Sequence, residues 1–251
     1  MKGHMVQKRQ NVRSTKRKHT NPIALHPPNP VSIPPSNELH IRVQHISKLY
    51  TDDTGKFPVR SRTGNQYNMV AYHCDSNAIL AVLFTSRKDQ HRLQAYDKIM
   101  QQLTDRGMIV DLLILDNEAN AAYKRIITTK WEVDSQLAPP PHIHRRKVDE
   151  RAIRTFKAHF PSILDGVADD YPRNLWDLLL PQSVLTLNLL RQATLNPNVL
   201  TWEFLEGPLD YNANPLAPLG CPVMIHKKTA TRNSWEFQRK EGWSIGTALD
   251  H

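Results

Sequence analysis

Three carboxylates of this 251-residue chain, Asp52, Asp116 and Glu150, stand where chemistry could gather. Asp52 closes a run that starts at Ile46, Asp116 follows the apolar stretch Val110-Asp111-Leu112-Leu113-Ile114-Leu115, and Glu150 lies in the first turn of a helical pattern after Pro139-Pro140-Pro141. Carboxylate oxygens are the hard ligands that Mg2+ requires. Carboxylates at the ends of neighbouring strands can converge on one point. Two ions about 4 Å apart could there activate a nucleophile and stabilise a leaving oxygen in phosphodiester chemistry. Taken singly, each residue has an ordinary alternative, because an Asp at a strand end is more often a turn or cap residue. The combination is what points to a site.

The elements that must position these groups are legible as alternating patterns. Ile46 to Asp52 reads as a strand, as do Asn65 to His73 and Ala78 to Phe84, the last two separated by the turn signal Asp75-Ser76-Asn77. Residues Asp89 to Thr104 have helical spacing and stop at Gly107. The run Val110 to Leu115 has the continuous apolar character of a strand covered on both faces. A helix is expected from Ala119 to Thr129, a short strand from Val133 to Leu137, a helix from Val148 to Leu164 with Ile153, Phe156, Phe160, Ile163 and Leu164 on one face, and another from about Asn174 to Leu195. Three leading strands, then alternating helices and strands, predict an α/β domain built on a mixed sheet. Residues 1–45 are expected to be an arm and linker, 46–205 the folded core, and 206–251 a small, β-rich C-terminal extension.

The formal net charge of +9 is concentrated at the start: Lys2, Lys8, Arg9, Arg13, Lys16, Arg17 and Lys18 occur in the first twenty residues with no acidic residue among them. Such an arm suits phosphate backbones or a nuclear import receptor, and Lys16-Arg17-Lys18 would serve as a localisation cluster. The bland alternative is a solvated tail. Pro22, Pro27, Pro28, Pro30, Pro34 and Pro35 follow, a density that excludes helix and central strand and predicts an extended spacer. No apolar run approaches the ~20 residues of a membrane span, and the first residues lack a secretory signal's apolar centre, so a soluble, intracellular chain is expected. Cys74 and Cys221, with no C-x-x-C pair, are expected to be buried thiols outside any disulfide or zinc site.

Several short motifs, in order, resemble the catalytic core of retrotransposon integrases of the copia type. Asp52-Asp53-Thr54-Gly55, then Gly64-Asn65-Gln66-Tyr67 and Asp75-Ser76, is similar to the opening of those cores; Leu115-Asp116-Asn117-Glu118 is similar to their second block, and Asp149-Glu150-Arg151 stands at the third. The interval from Asp116 to Glu150 is near the D,D,E spacing of that superfamily. Trp202-Glu203-Phe204, Gly207-Pro208 and Leu219-Gly220-Cys221-Pro222-Val223 with Ile225-His226 resemble the segment that follows the core. The resemblance implies a ribonuclease H-like fold with a five-stranded mixed sheet, two Mg2+ or Mn2+ ions on Asp52, Asp116 and Glu150, and joining of the element's DNA ends to target DNA by a homo-oligomer. It implies a nuclear protein with a cytoplasmic particle stage. Asp53 competes with Asp52 for the first role. Asp52 is preferred because the family glycine comes three residues after the catalytic Asp, which Gly55 satisfies. Arg154 and Lys157, four and seven residues after Glu150, share its helix face and are expected to hold DNA, with Arg145, Arg146, Lys16, Arg17 and Lys18 as further phosphate contacts. The sequence departs from the pattern where Glu118, not glycine, follows Asn117, and where His144-Arg145-Arg146 replaces the usual Gln-Asn-Gly stretch.

Competing readings are narrower. Tyr50-Thr51-Asp52-Asp53 mimics a polymerase motif, but only a basic, proline-rich spacer precedes it. His19, His26, His40 and His45 lack the cysteines of a zinc module. His73 is expected to be packed; Asp97, Asp105, Asp134 and Asp149 to be surface or cap residues; and the five tryptophans to be core or contact residues, with Trp235 and Trp243 the best suited to stacking on a base or partner. Because the sequence ends at Asp250-His251, where relatives run on toward a polymerase, a catalytically idle DNA-binding remnant or polyprotein fragment is the alternative expectation. A plain ribonuclease H-like nuclease is a third.

Overall fold

A computed structural model of the chain describes residues 45–115, 121–137, 149–228 and 235–248. From Ile46 onward these belong to one compact unit. The order of elements is β1 (Lys48–Asp53), β2 (Tyr67–His73), β3 (Ala78–Phe84), α1 (Asp89–Asp105), β4 (Leu112–Leu115), α2 (Ala121–Trp131), β5 (Asp134–Leu137) and α3 (Asp149–Asp165). After α3 come a 3-10 segment (Arg173–Leu179), α4 (Leu180–Leu189), α5 (Thr201–Glu206), and a hairpin of β6 (Pro222–His226) and β7 (Arg239–Trp243). No helix among the described residues is long and apolar enough to cross a membrane.

The main sheet has the order β3-β2-β1-β4-β5. Strands β1, β2 and β3 pair antiparallel, whereas β4 runs parallel to β1 and β5 parallel to β4. Side chains alternate across a strand, so each strand feeds two cores. Leu49, Met69, Ala71, Leu80, Val82, Phe84, Leu113 and Leu115 face one, closed by Tyr96, Ile99 and Leu103 of α1 and Ile127 of α2. Val70, Tyr72 and Ile79, with Tyr50 at the margin, face the other, closed by Phe156 and Phe160 of α3, Trp176 and Leu180. Helices on both faces explain why β4 is almost wholly apolar. The end of α1 follows from Gly107, whose φ of +68° suits glycine: its N–H donates to the Thr104 carbonyl and that of Met108 to Leu103.

Two expectations are corrected. The single helix from Asn174 to Leu195 is instead a 3-10 segment followed by α4, and the chain leaves the helix at Leu190. Pro181 is the reason for the change of winding, since it has no N–H to donate and its ring would clash with the carbonyl four residues back; it is tolerated in the first turn of α4. The cysteines are free thiols, but both are only partly buried. Cys74 opens the turn after β2, and Cys221 stands at the start of the largely exposed β6–β7 hairpin.

His73, at the end of β2, is packed as expected. Its Nε2 lies 3.2 Å from the Ile109 carbonyl, which can only accept, and 2.9 Å from Ser47 Oγ. Its Nδ1 receives the Ser76 N–H and meets Ser76 Oγ at 2.8 Å. That set of partners fixes a neutral ring with the proton on Nε2. Burial holds its pKa below the ordinary histidine value, against the Ile109 contact and the Asp75 charge, which raise it. The unfolded chain therefore binds a proton here that the folded chain refuses, and stability falls as pH drops from about 6.5 toward the folded pKa. We expect melting temperature to decline over that window, and a His73→Gln variant to show a shallower decline above pH 5. Equal slopes in the two proteins would remove His73 as the cause.

Candidate active site

The end of β1 presents two adjacent carboxylates, and strand alternation sends them to opposite faces of the sheet. Asp53 goes with Leu49 toward α1, where Arg92 grips it: Nε and Nη2 both lie 2.6 Å from Oδ2. Burial raises the Asp53 pKa, an effect opposed by the Arg92 guanidinium and reinforced by the neighbouring Asp52 charge. Asp52 goes with Tyr50 toward α3, where its Oδ2 accepts from Lys157 Nζ at 2.6 Å. Both partners of that pair remain open to solvent, with 41% of the lysine and 34% of the aspartate side chain exposed.

Helix α3 brings the third expected group to the same side. Ala152, Ile153, Phe156 and Phe160 bury one stripe against the sheet face of Val70, Tyr72 and Ile79. Glu150 sits partly buried in the first turn, Arg154 is exposed one turn on, and Lys157 follows two turns from Glu150, about 10 Å along the axis. All three share a face. The helix continues through Pro161, which deprives the Lys157 carbonyl of its helical donor.

The segment that leaves Asp53 is held down along its length. Thr54 N–H donates to the Asn68 carbonyl and Phe57 N–H to that of Gln66. The Phe57 ring stacks on Trp176 at 4.0 Å and 10°, and meets Phe160 of α3 at 5.9 Å. Trp176 Nε1 donates to the Val59 carbonyl at 2.9 Å, Arg62 N–H to that of Asn174, and the Thr63 hydroxyl to buried Asp177. This anchorage fixes where β1 ends.

Of the expected site residues, the structure brings Asp52 and Lys157 into contact and sets Glu150 and Arg154 on the helix face that carries Lys157. Asp116 directly follows Leu115, the last residue of β4, and lies outside the described residues, as do Arg145, Arg146, Lys16, Arg17 and Lys18. Among the described residues there is no group of three or more His, Cys, Asp or Glu that could hold a metal ion. Arg92 is a positioning residue that sequence reasoning missed, whereas Trp176 is the core residue expected, with a hold on the segment after β1 that its spacing did not signal. Strand parity alone would have sent Asp53 to the α1 face and prompted a search there for a cation. Of the tryptophans singled out for stacking, Trp243 packs edge-on against Tyr171 at 6.0 Å with its Nε1 donating to Asp170, whereas Trp235 is fully exposed.

The strand order, the parallel β4 and β5 and the two helical layers make an α/β fold on a mixed five-stranded sheet, the architecture expected of a ribonuclease H-like core. Among solved structures, the chain is similar to the catalytic core domain of BIV integrase, with 16% identity over 63% of this chain and 92% of that one and a TM-score of 0.46. It is also similar to a chain of the simian T-cell lymphotropic virus intasome in complex with the PP2A regulatory subunit B56 gamma, with 16% identity over 83% of this chain and 70% of that one and a TM-score of 0.47. No family model and no curated protein matches the sequence.

Proposed function

We propose that the chain is the catalytic core of a copia-type retroelement integrase, a polynucleotidyl transferase that joins element DNA ends to target DNA. The observation that carries this reading is the placement of Asp52 at the end of β1 on the face covered by α3, the helix that opens with Glu150. Asp116 is proposed as the third member because it directly follows β4, the strand that runs parallel to β1 with Ile114 opposite Tyr50.

Mg2+ or Mn2+, two ions in the proposal, fits the donors present. Asp52 offers a partly exposed, hard carboxylate that already accepts a cation, the Lys157 ammonium, whereas Asp53 is enclosed by Arg92. Asp52 and Glu150, with Asp116, would hold the metal, which when bound would neutralise charge on the phosphate and favour deprotonation of the attacking hydroxyl. The chain's own task is then positioning: β1 fixes Asp52, α3 fixes Glu150, and the exposed Arg154 guanidinium can take a phosphate oxygen beside them. Arg145, Arg146, Lys16, Arg17 and Lys18 would add sequence-independent phosphate contacts, and a homo-oligomer acting in the nucleus completes the proposal.

Incubating the protein and Mn2+ with labelled duplex ends tests it by product length. Strands longer than the input are expected. Shortened strands alone would instead make the chain a plain nuclease, and salt-sensitive binding with no change in strand length would make it an idle DNA-binding remnant.

A further inference from the structure

Lys157 is expected from its place on α3 to face DNA, yet its ammonium lies on Asp52. We propose that Lys157 is a built-in counter-cation of the site: it neutralises Asp52 in the metal-free protein, must leave when a divalent ion binds, and so sets the metal concentration at which the site fills. The inference rests on the metal-binding role proposed above for Asp52.

Three features carry it. Lys157 Nζ and a divalent ion would compete for the same carboxylate, whose Oδ2 is already in direct contact with the ammonium at 2.6 Å. The pair is of the partly exposed kind that contributes little net stability, so it can open without disturbing the fold. The backbone beneath it stays fixed, because Phe156 and Phe160 anchor α3 on both sides of Lys157 while the lysine head rides on a flexible four-carbon stem. Arg92 on Asp53 provides the internal contrast. It is a two-nitrogen grip between side chains only 19% and 14% exposed, on the other face of the sheet, and it stays in place while Lys157 exchanges.

Displacement by competition is reciprocal: removing the ammonium must tighten metal binding as much as the metal weakens the ion pair. The measurement is Mn2+ affinity of the full chain, by electron paramagnetic resonance of free Mn2+ at low ionic strength, for the parent, Lys157→Met, Lys98→Met and Asp52→Asn. Lys98 is an exposed residue of α1, on the opposite face of the sheet, and its replacement makes the same change in net charge. Lys157→Met is expected to bind about fivefold more tightly than the parent, with the difference shrinking as salt is added, and Lys98→Met to match the parent. In a second readout, Mg2+ should raise the rate at which an acylating reagent modifies Lys157, leaving Lys98 unaffected. Unchanged or weaker Mn2+ binding by Lys157→Met, with Asp52→Asn still impaired, overturns the counter-cation and leaves the metal site standing. Binding by Asp52→Asn equal to that of the parent overturns both.

Discussion

Replacing Asp52 by Asn is expected to lower strand joining by about a thousandfold or more, while replacing Asp53 by Asn is expected to leave joining nearly intact and weaken the fold instead. The two carboxylates are neighbours in sequence, so the contrast comes entirely from which face of the sheet each one occupies. Loss of a metal ligand forfeits several kcal/mol of transition-state stabilisation, and each ~1.4 kcal/mol is a factor of ten in rate. Asp52 contributes little to stability, because its contact with Lys157 is a partly exposed pair, and Asp52→Asn should unfold within about 1 kcal/mol of the parent. Asp53 is more enclosed, and its Oδ2 receives both Arg92 nitrogens. An amide there satisfies the guanidinium less well, at a cost of about 1–3 kcal/mol. Asp116→Asn belongs with Asp52→Asn in joining. Denaturant unfolding and joining, measured on the same preparations below the melting temperature of each, separate the effects. Joining by Asp52→Asn within tenfold of the parent, or by Asp116→Asn equal to it, would remove the proposed mechanism.

How far such a site can be read from residues depends on the range of the interactions that make it. The choice of Asp52 over Asp53 rested on the position of Gly55, a local register, and the structure gives the same pair a second distinction through strand parity, equally local in origin. The mainly apolar runs of β2, β3 and β4 are also local signals, and they lie in the sheet within a residue or two of where the pattern puts them. Strand order is different. Nothing in the composition of β4 states that it pairs with β1 and not β3; that order is seen only in the folded sheet.

Contacts between segments far apart in sequence were not legible. Arg92 finds Asp53, and Trp176 finds Phe57 and Val59, through the packing of whole elements, which no spacing rule records. Lys157 was placed on the correct helix face, but its side-chain partner is set by how α3 lies across the sheet. The split of the expected 174–195 helix has a local cause, Pro181, which lies within the run of leucines and is tolerated only in the first turn of a helix.

The loop behind Asp53 supplies the other large expected effect. Trp176→Ala should destabilise the protein by about 3–5 kcal/mol, the range for deleting a buried aromatic side chain. Trp176 is 2% exposed, stacks on Phe57, meets Phe160 edge-on at 6.2 Å and 62°, and donates its Nε1–H to the Val59 carbonyl. Trp176→Phe keeps a ring against Phe57 but abandons that carbonyl, so about 1–2 kcal/mol is expected from the hydrogen bond, with some loss of packing besides. Because the same indole ties the segment after Asp53 to the 3-10 turn and to α3, its removal should also loosen that segment before the whole protein unfolds. Arg60 and Arg62 are exposed there and report on it through limited trypsin digestion, which should cut between β1 and β2 faster in Trp176→Ala than in the parent under conditions where both remain folded. A double-mutant cycle with Phe57→Ala isolates the ring stacking, for which about 0.5–1.5 kcal/mol of coupling is expected. If Trp176→Ala costs under about 1 kcal/mol and leaves the digestion pattern unchanged, the loop is held by its backbone bonds alone, and the end of β1 owes its position to Thr54 and Phe57 pairing with β2 and the residue before it rather than to the aromatic stack.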